Sequence, residues 1–244
     1  MYEALLEPID KRRSNRAYID RPIEEETKKR LNELLAIGNK DGSLNLQLNI
    51  AAPEAFFDMK KTYGAFSGVQ NYISIVGNTS EPDMLEKVGY FGERFVLEAT
   101  AMGLATCWIT LTYDSEHTKA QYAEGEELIG VIPIGYAKET YSEKEQEIYT
   151  RIGARKKKPI TEFFTSDNTP PQWFLDGMKA VSTAPSGANA MPVYITYEDG
   201  RVTATIKGKA YTPEIDLGIA KFHFTVGAGG GTWAWGKNSQ YTRD

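Results

Sequence analysis

The stretch Ala184–Val193, "APSGANAMPV", reads as a tight turn between two regular elements. Pro185 fixes its backbone φ, Gly187 adds no side chain, and Ser186 and Asn189 carry short hydrogen-bonding groups. A helical run precedes it and the strand-like "VYITY" follows. A turn of this kind can press its backbone against a flat ligand, and an anion-binding partner is expected beside it. The best candidate, "RRSNR" at Arg12–Arg16, lies near the opposite end of the chain. The fold must therefore unite two distant segments.

On either side of the turn the pattern is regular. "PPQWFLDGMKAVS" predicts a helix with prolines in its first turn, and "VYITYEDGRVTATI" a hairpin closed at Asp199-Gly200. "PEIDLGIAKFHFTVGA" predicts another helix, stopped by "GAGGG" (227–231) and followed by a polar tail. Upstream, helices are expected over 23–37, 54–63, about 82–102 and 115–122. Strands are expected at "VQNYISIVG" (69–77), after Gly103 in "GLATCWITL", and at "LIGVIPIGYA" (128–137). Residues 138–168 are mostly polar and read as a long connection. This order predicts an α+β fold, a mixed central sheet flanked by helices.

The second part resembles a shortened copy of the first. Leu31, Leu34 and Ala36 match Leu175, Met178 and Ala180 at an offset of 144, and Gly89, Phe95 and Ala99 match Gly218, Phe224 and Ala228 at an offset of 129. Two degenerate half-copies are expected, 1–165 and 166–244, the second without an "RRSNR" equivalent and without a closing strand.

Bulk properties narrow the function. The 244 residues are 41% hydrophobic and 25% charged, as in ordinary globular proteins. A net charge of −5 argues against a nucleic-acid binder. No apolar run of about 18 residues indicates a membrane span, and the N-terminus has no signal-peptide core, so a cytoplasmic protein is expected. The single cysteine, Cys107, excludes an intramolecular disulfide and a multi-thiolate metal site within one chain.

Arg12, Arg13 and Arg16 surround Ser14, and planar guanidinium forks beside a hydroxyl suit phosphate or carboxylate. Arg155–Lys158 reads either as a solvated run or as a second cationic arm. No His-x-x-x-His, Cys-His or Asp-His spacing is read around His117 or His223, so metal catalysis and a Ser-His triad both lack parts, both histidines read as structural or solvated, and no metal site is expected. Cys107, in an apolar strand, reads as a packed small hydrophobe. Trp108, Trp173, Trp233 and Trp235 read as core or lid residues, the last two also as a cover for a flat ligand.

Together "RRSNR", "GLATCWITL", "RKKKP" and "APSGANAMP" resemble the flavin-dependent nitroreductase family, in order and context and over most of the chain. In that family two subunits intertwine around interfacial FMN. The resemblance implies a nitroreductase-like fold and, here, a fused pseudo-dimer acting as a monomer with one FMN site. It assigns Arg12 and Ser14 to the phosphate and ribityl chain, Arg16 to the pyrimidine edge, and Arg155 and Lys157 to added positive charge at the phosphate, with Arg13 counted among the cofactor-binding residues. Pro185, Ser186 and Asn189 would line the ring, and the backbone at Thr110 and Leu111 would approach N5. Met191 and Val193 depart from the family's Gln and aromatic. The implied activity is ping-pong hydride transfer from NADH or NADPH through flavin N5 to a nitroaromatic, quinone or similar small acceptor, with no catalytic side chain. The alternative is a non-catalytic flavin-binding or flavin-sequestering protein.

Overall fold

The computed structural model describes residues 2–153 and 158–243. In chain order the elements are α1 (Leu6–Lys11), α2 (Glu25–Gly42), β1 (Leu44–Asn49), β2 (Asn71–Asn78), α3 (Met84–Ala101), β3 (Ala105–Thr106), β4 (Glu126–Gly135) and α4 (Glu143–Ile152). Then come β5 (Phe164–Ser166), α5 (Gln172–Val181), β6 (Val193–Glu198), β7 (Arg201–Ile206), α6 (Pro213–Gly227), β8 (Thr232–Trp233) and β9 (Ser239–Thr242). The class is α+β, as expected, with two sheets instead of one central sheet. They fall in two compact units. A C-terminal unit comprises Met1–Asp10, Leu85–Arg94 and Ile152–Asp244, and an N-terminal unit comprises Lys11–Met84 and Phe95–Arg151. No helix among the described residues is long and apolar enough to cross a membrane.

The N-terminal unit holds an antiparallel sheet in the order β1-β2-β4-β3. β2 lies between two neighbours and is buried from Asn71 to Gly77, in keeping with its mostly apolar sequence. β1 alternates instead. Leu44 and Leu46 are buried, while Asn45 and Asn49 reach across to Glu126 and to Ser74 on the other face. The free edge of β1 is met by a side chain. Asn39 in the last turn of α2 accepts from the Leu46 N–H at 2.6 Å and donates to the Leu46 carbonyl at 3.0 Å.

The C-terminal unit holds a sheet in the order β5-β6-β7-β9-β8. The β6–β7 hairpin closes at Asp199-Gly200, both at positive φ (50° and 74°), as a two-residue turn of the primed type requires. β5 adds parallel to β6, and the Ile195 N–H donates to the Phe163 carbonyl at 2.9 Å. Apart from β5, both sheets share one connectivity: helix, hairpin, helix, short strand, closing strand. Strand for strand, β6-β7-β9-β8 repeats β1-β2-β4-β3, all antiparallel. The closing strand expected to be missing is therefore present as β9. Its polar sequence turns only Tyr241 fully into the core, so the tail carries little apolar signal.

Within this unit the first part of α3 crosses α6 at backbone contact. A Cβ at Gly89 would stand 2.0 Å from the Ile215 carbonyl oxygen, and one at Gly218 would stand 1.9 Å from that of Glu86. The contact is reciprocal, and it joins the two glycines that the offset of 129 had matched. Around it lie a buried ion pair, Lys221 with Glu86, and a buried hydrogen-bonded pair, His223 with Glu93. Lys221 Nζ meets Glu86 and also the carbonyls of Ala234 and Gly236 and the Ser239 hydroxyl. His223 sets Nδ1 against the Ala180 carbonyl at 3.0 Å and Nε2 against Glu93 at 2.9 Å. Nδ1 must carry a proton to bond a carbonyl, and a second proton lies between Nε2 and Glu93. His223 is thus structural.

Four expectations need correction. Residues 54–63 form only a 3-10 turn at Pro53–Phe56. The Asp58 carboxylate then accepts from the N–H groups of Lys60 and Lys61, and Tyr63 and Gly64 take positive φ, so a turn displaces the helix. The helix expected at 115–122 shrinks to Ser115–His117, since the Lys119 N–H goes to the Tyr72 hydroxyl. The connection 138–168 contains α4 and β5. α4 starts at a capping box: Ser142 Oγ accepts from the Glu145 N–H and Glu145 Oε2 from the Ser142 N–H. Of the tail tryptophans, Trp233 is a core residue and not a ligand cover. Trp233 is buried and donates Nε1–H to the Lys221 carbonyl, and Trp235 packs edge-on against Tyr90.

Gly89→Ala or Gly218→Ala puts a methyl onto a helix carbonyl that cannot move aside alone. Each is expected to lower stability by about 3 kcal/mol in urea unfolding. A wild-type midpoint in either variant would contradict the backbone contact.

Candidate functional site

The backbone of the basic segment is held by bonds from the protein itself. α1 ends at Lys11, and Arg12–Arg16 run as an irregular strand whose Ser14 bridges Thr106, with the Asn15 N–H donating to the Thr106 carbonyl at 2.9 Å. Ala17 and Tyr18 are stitched to residues on either side: the Tyr18 N–H donates to Ser67, and the Lys138 N–H to the Ala17 carbonyl. The anchor is Glu145, 2% exposed on α4. One carboxylate oxygen accepts from the N–H groups of Arg16 (2.6 Å) and Ala17 (3.2 Å), and the other from the N–H and hydroxyl of Ser142. Two phenols complete the cradle. Tyr149 donates to the Ser14 carbonyl and Tyr18 to the Asn15 carbonyl.

This scaffold brings Arg12, Arg13, Ser14 and Arg16 together. Arg12, Ser14 and Arg16 are partly buried and Arg13 is exposed. Arg16 donates from Nη1 to the Ser14 carbonyl and lies over the Tyr149 ring, 5.7 Å from its centroid. Burial pushes the Tyr149 phenol upward, with Tyr141 adding to the shift, so Tyr149 is a neutral donor throughout the physiological range. The set offers several fixed guanidinium donors and a hydroxyl within five residues, the chemistry an anion such as a phosphate needs.

The segment after α3 flanks this cradle. Thr106 bridges Ser14, and Ile109 pairs with Val131 of β4. Cys107 is buried, and burial raises its thiol while Arg16 and Arg12 pull it down, so it packs as a neutral group. Thr110 is half-buried and Leu111 is 70% exposed.

The turn of Ala184–Val193 belongs to the C-terminal unit. Its backbone is unusual: Ala188, Asn189 and Met191 all take positive φ (51°, 57° and 50°). Left-handed conformations in non-glycine residues cost on the order of 1 kcal/mol each and persist only where contacts enforce them. Ser186 Oγ accepts from the Met191 N–H at 2.9 Å, and Asn189 Nδ2 donates to the carbonyls of Ile152 and Gly153. Both polar side chains singled out in the sequence thus hold the turn's shape. Pro185 lines an apolar cleft with Phe163, Val181 and Met191. Arg155 and Lys157 lie outside the described residues.

One pairing escaped the sequence reading. Asp114 accepts from Lys61 Nζ at 2.6 Å and faces His117 Nδ1 at 2.8 Å, an Asp-x-x-His spacing that was present and passed over. The Lys61 bond leads in holding the Asp114 carboxyl below its usual range, with His117 adding to it. The carboxylate also accepts from the Glu116 N–H, so this cluster shapes the 114–117 turn.

A family model described as "Putative TM nitroreductase" matches residues 4–228. No curated protein matches the chain. Among solved structures, one from Thermotoga maritima described as a "putative nitroreductase" is 23% identical, covers 97% of this chain and 91% of its own, and superposes with a TM-score of 0.65. A nitroreductase family protein from Clostridium difficile is 18% identical, over 69% of this chain and 99% of its own, at a TM-score of 0.46. A nitroreductase with bound FMN from Bacteroides fragilis is 19% identical, over 57% and 90%, at 0.43.

Glu145→Ala strands the buried N–H groups of Arg16 and Ala17 and removes the α4 cap. It is expected to cost about 3 kcal/mol in thermal or urea unfolding, with Glu145→Gln milder because one acceptor oxygen remains. Equal losses in the two variants would assign the effect to packing.

Proposed function

The chain belongs to the TM nitroreductase family, and we propose that it binds FMN and catalyses NAD(P)H-dependent reduction of a small electron acceptor such as a nitroaromatic or a quinone. The observation that carries this reading is the Arg12–Arg16 segment, held ready by Glu145 and Tyr149. Its donor set fits the phosphate end of FMN. In the N-terminal unit, Arg12 and Ser14 are assigned to the phosphate and ribityl chain, with Arg13 beside them among the cofactor-binding residues. Arg16, whose guanidinium is steadied by Tyr149, is assigned to the pyrimidine edge, where a fixed positive charge favours an electron-rich ring. The backbone at Thr110 and Leu111 is assigned to the ring's reactive side. In the C-terminal unit, Pro185, Ser186 and Asn189 are assigned to a wall of the ring, and Arg155 and Lys157 to added phosphate charge. Bound FMN supplies the two-electron redox chemistry; the chain's residues bind it, orient it and set its electrostatic surroundings.

The halves 1–165 and 166–244 are read as products of one duplication. The common strand order of the two sheets and the reciprocal Gly89–Gly218 crossing support that reading. One half then keeps the basic segment and the other the turn, so one flavin per chain is the expected stoichiometry.

The test is titration of purified protein with FMN, followed by anaerobic stopped-flow with NADH and NADPH. Saturation at one FMN per chain and bleaching of the bound flavin by a nicotinamide are expected. Arg16→Ala is expected to weaken FMN binding by about 10- to 100-fold, the range for a charge-assisted contact. Binding without bleaching by either donor would favour flavin sequestration over reduction, and no FMN binding would overturn the reading.

A further inference from the structure

Asp216 stands outside every role assigned so far. It lies in the first turn of α6 and is only 3% exposed. Oδ1 accepts from the Gly187 N–H at 3.0 Å, which ties α6 to the middle of the Ala184–Val193 turn. Oδ2 is buried and meets no hydrogen-bond partner among the described residues. The cleft it lines is otherwise formed by Phe163, Val181, Pro185, Met191 and Ala220, with the Ser186 hydroxyl already committed to the Met191 N–H.

An ionised carboxylate with one oxygen buried and unsatisfied is costly, whereas the neutral acid is tolerated there. Its partner is a strained turn. Two other side-chain ties, from Ser186 and Asn189, hold that turn, and neither changes with pH in the neutral range. The bond from Asp216 is the one that can. We propose that Asp216 is a positioning residue for the turn: as the neutral acid it keeps the turn closed over α6, and as the carboxylate it favours release of the turn so that water can reach the charge.

The direction follows from linkage. Burial raises the Asp216 carboxyl to about 6; the Gly187 N–H opposes the shift and Glu214 on the same helix adds to it. The turn, β6, α5 and Phe163 present no titratable side chain to it within the cleft. Before the helix, Tyr211 and Thr212 lie near Gly187, and Tyr211 is exposed. In an opened turn the carboxyl meets water and returns toward its ordinary value near 4. The closed form therefore binds the proton more tightly, and raising the pH from about 4 to about 6 shifts the balance toward opening, with the full shift present above about 6. A difference of two pH units corresponds to about a 100-fold change in that balance.

That a looser turn weakens a ligand rests on the flavin reading above; the latch itself does not. The first measurement uses wild-type protein without flavin. The Asp216 carboxyl carbon and the Gly187 amide are followed by NMR from pH 4 to 8, with hydrogen exchange at the Gly187 and Met191 amides. Both signals are expected to titrate together near pH 6, and protection is expected to fall about 10- to 100-fold on the alkaline side. Asp216→Asn, an uncharged mimic of the acid, should show flat protection at the wild-type acid level. The second measurement is FMN affinity by fluorescence quenching. Wild type and Asp216→Asn are expected to agree near pH 4 and to differ about tenfold at pH 8, the wild type binding more weakly; ionisation of the FMN phosphate is common to both and cancels. Independent titration of Gly187 and Asp216, or an unchanged pH profile in Asp216→Asn, would overturn the latch. If FMN binds at no pH, the flavin reading fails and the amide titration still decides the latch. If Asp216→Asn does not fold, the wild-type titration decides it alone.

Discussion

Two helix backbones meet where Gly89 and Gly218 leave no side chain between them, and much of the C-terminal unit follows from that contact. At this separation Glu86 reaches Lys221 and Glu93 reaches His223. Burying such charges is unfavourable unless every remaining donor and acceptor finds a partner. Lys221 finds its partners in Ala234, Gly236 and Ser239, and Glu86 finds another in the Gly236 N–H. The demand of one buried ammonium thereby orders a polar stretch that would gain little by packing. That stretch leads into β9, which completes the sheet against β7. Helix spacing, charge burial and sheet closure are linked steps in one argument.

The basic segment follows a similar logic with the opposite purpose. Its arginine side chains make few bonds to each other, but its backbone is bound at nearly every residue, to Thr106, Ser67, Glu145 and Tyr149. Glu145 serves twice, as the capping residue of α4 and as the acceptor for Arg16 and Ala17. A segment ordered in advance loses less entropy on meeting an anion, so more of each contact appears as affinity. The turn of the C-terminal unit is held as well, but against backbone strain and partly by a group that can lose its proton.

Much of the fold could be read in the sequence because the relevant signals are local. The spaced apolar residues of α3, the run of β2 and the Asp199-Gly200 hairpin each specify their element within a few residues. The glycines at 89 and 218 also stood out as a matched pair, although their contact depends on packing. Other signals were present but outweighed. "LNLQLN" alternates as a half-buried strand should, yet no strand was expected over it. Ser142-x-x-Glu145 is a capping box inside a stretch whose polarity suggested a connection. Asp216 had no signal at all. An acidic residue in the first turn of a helix is ordinarily there for the helix dipole, and only the approach of Gly187, 29 residues away, buries it.

The Asn39 carboxamide carries a consequence for the company this chain keeps. In the C-terminal sheet the backbone of Ile195 is satisfied by the strand-adding segment at Phe163. In the N-terminal sheet the corresponding N–H and carbonyl of Leu46 are satisfied by one side chain. An amide carries the donor and acceptor of a peptide group but cannot be extended into a strand. It therefore ends the ladder chemically while leaving nothing for a foreign strand to join at that residue. A sheet rim that would otherwise template the stacking of one molecule on another is blunted by a single residue at the end of a helix.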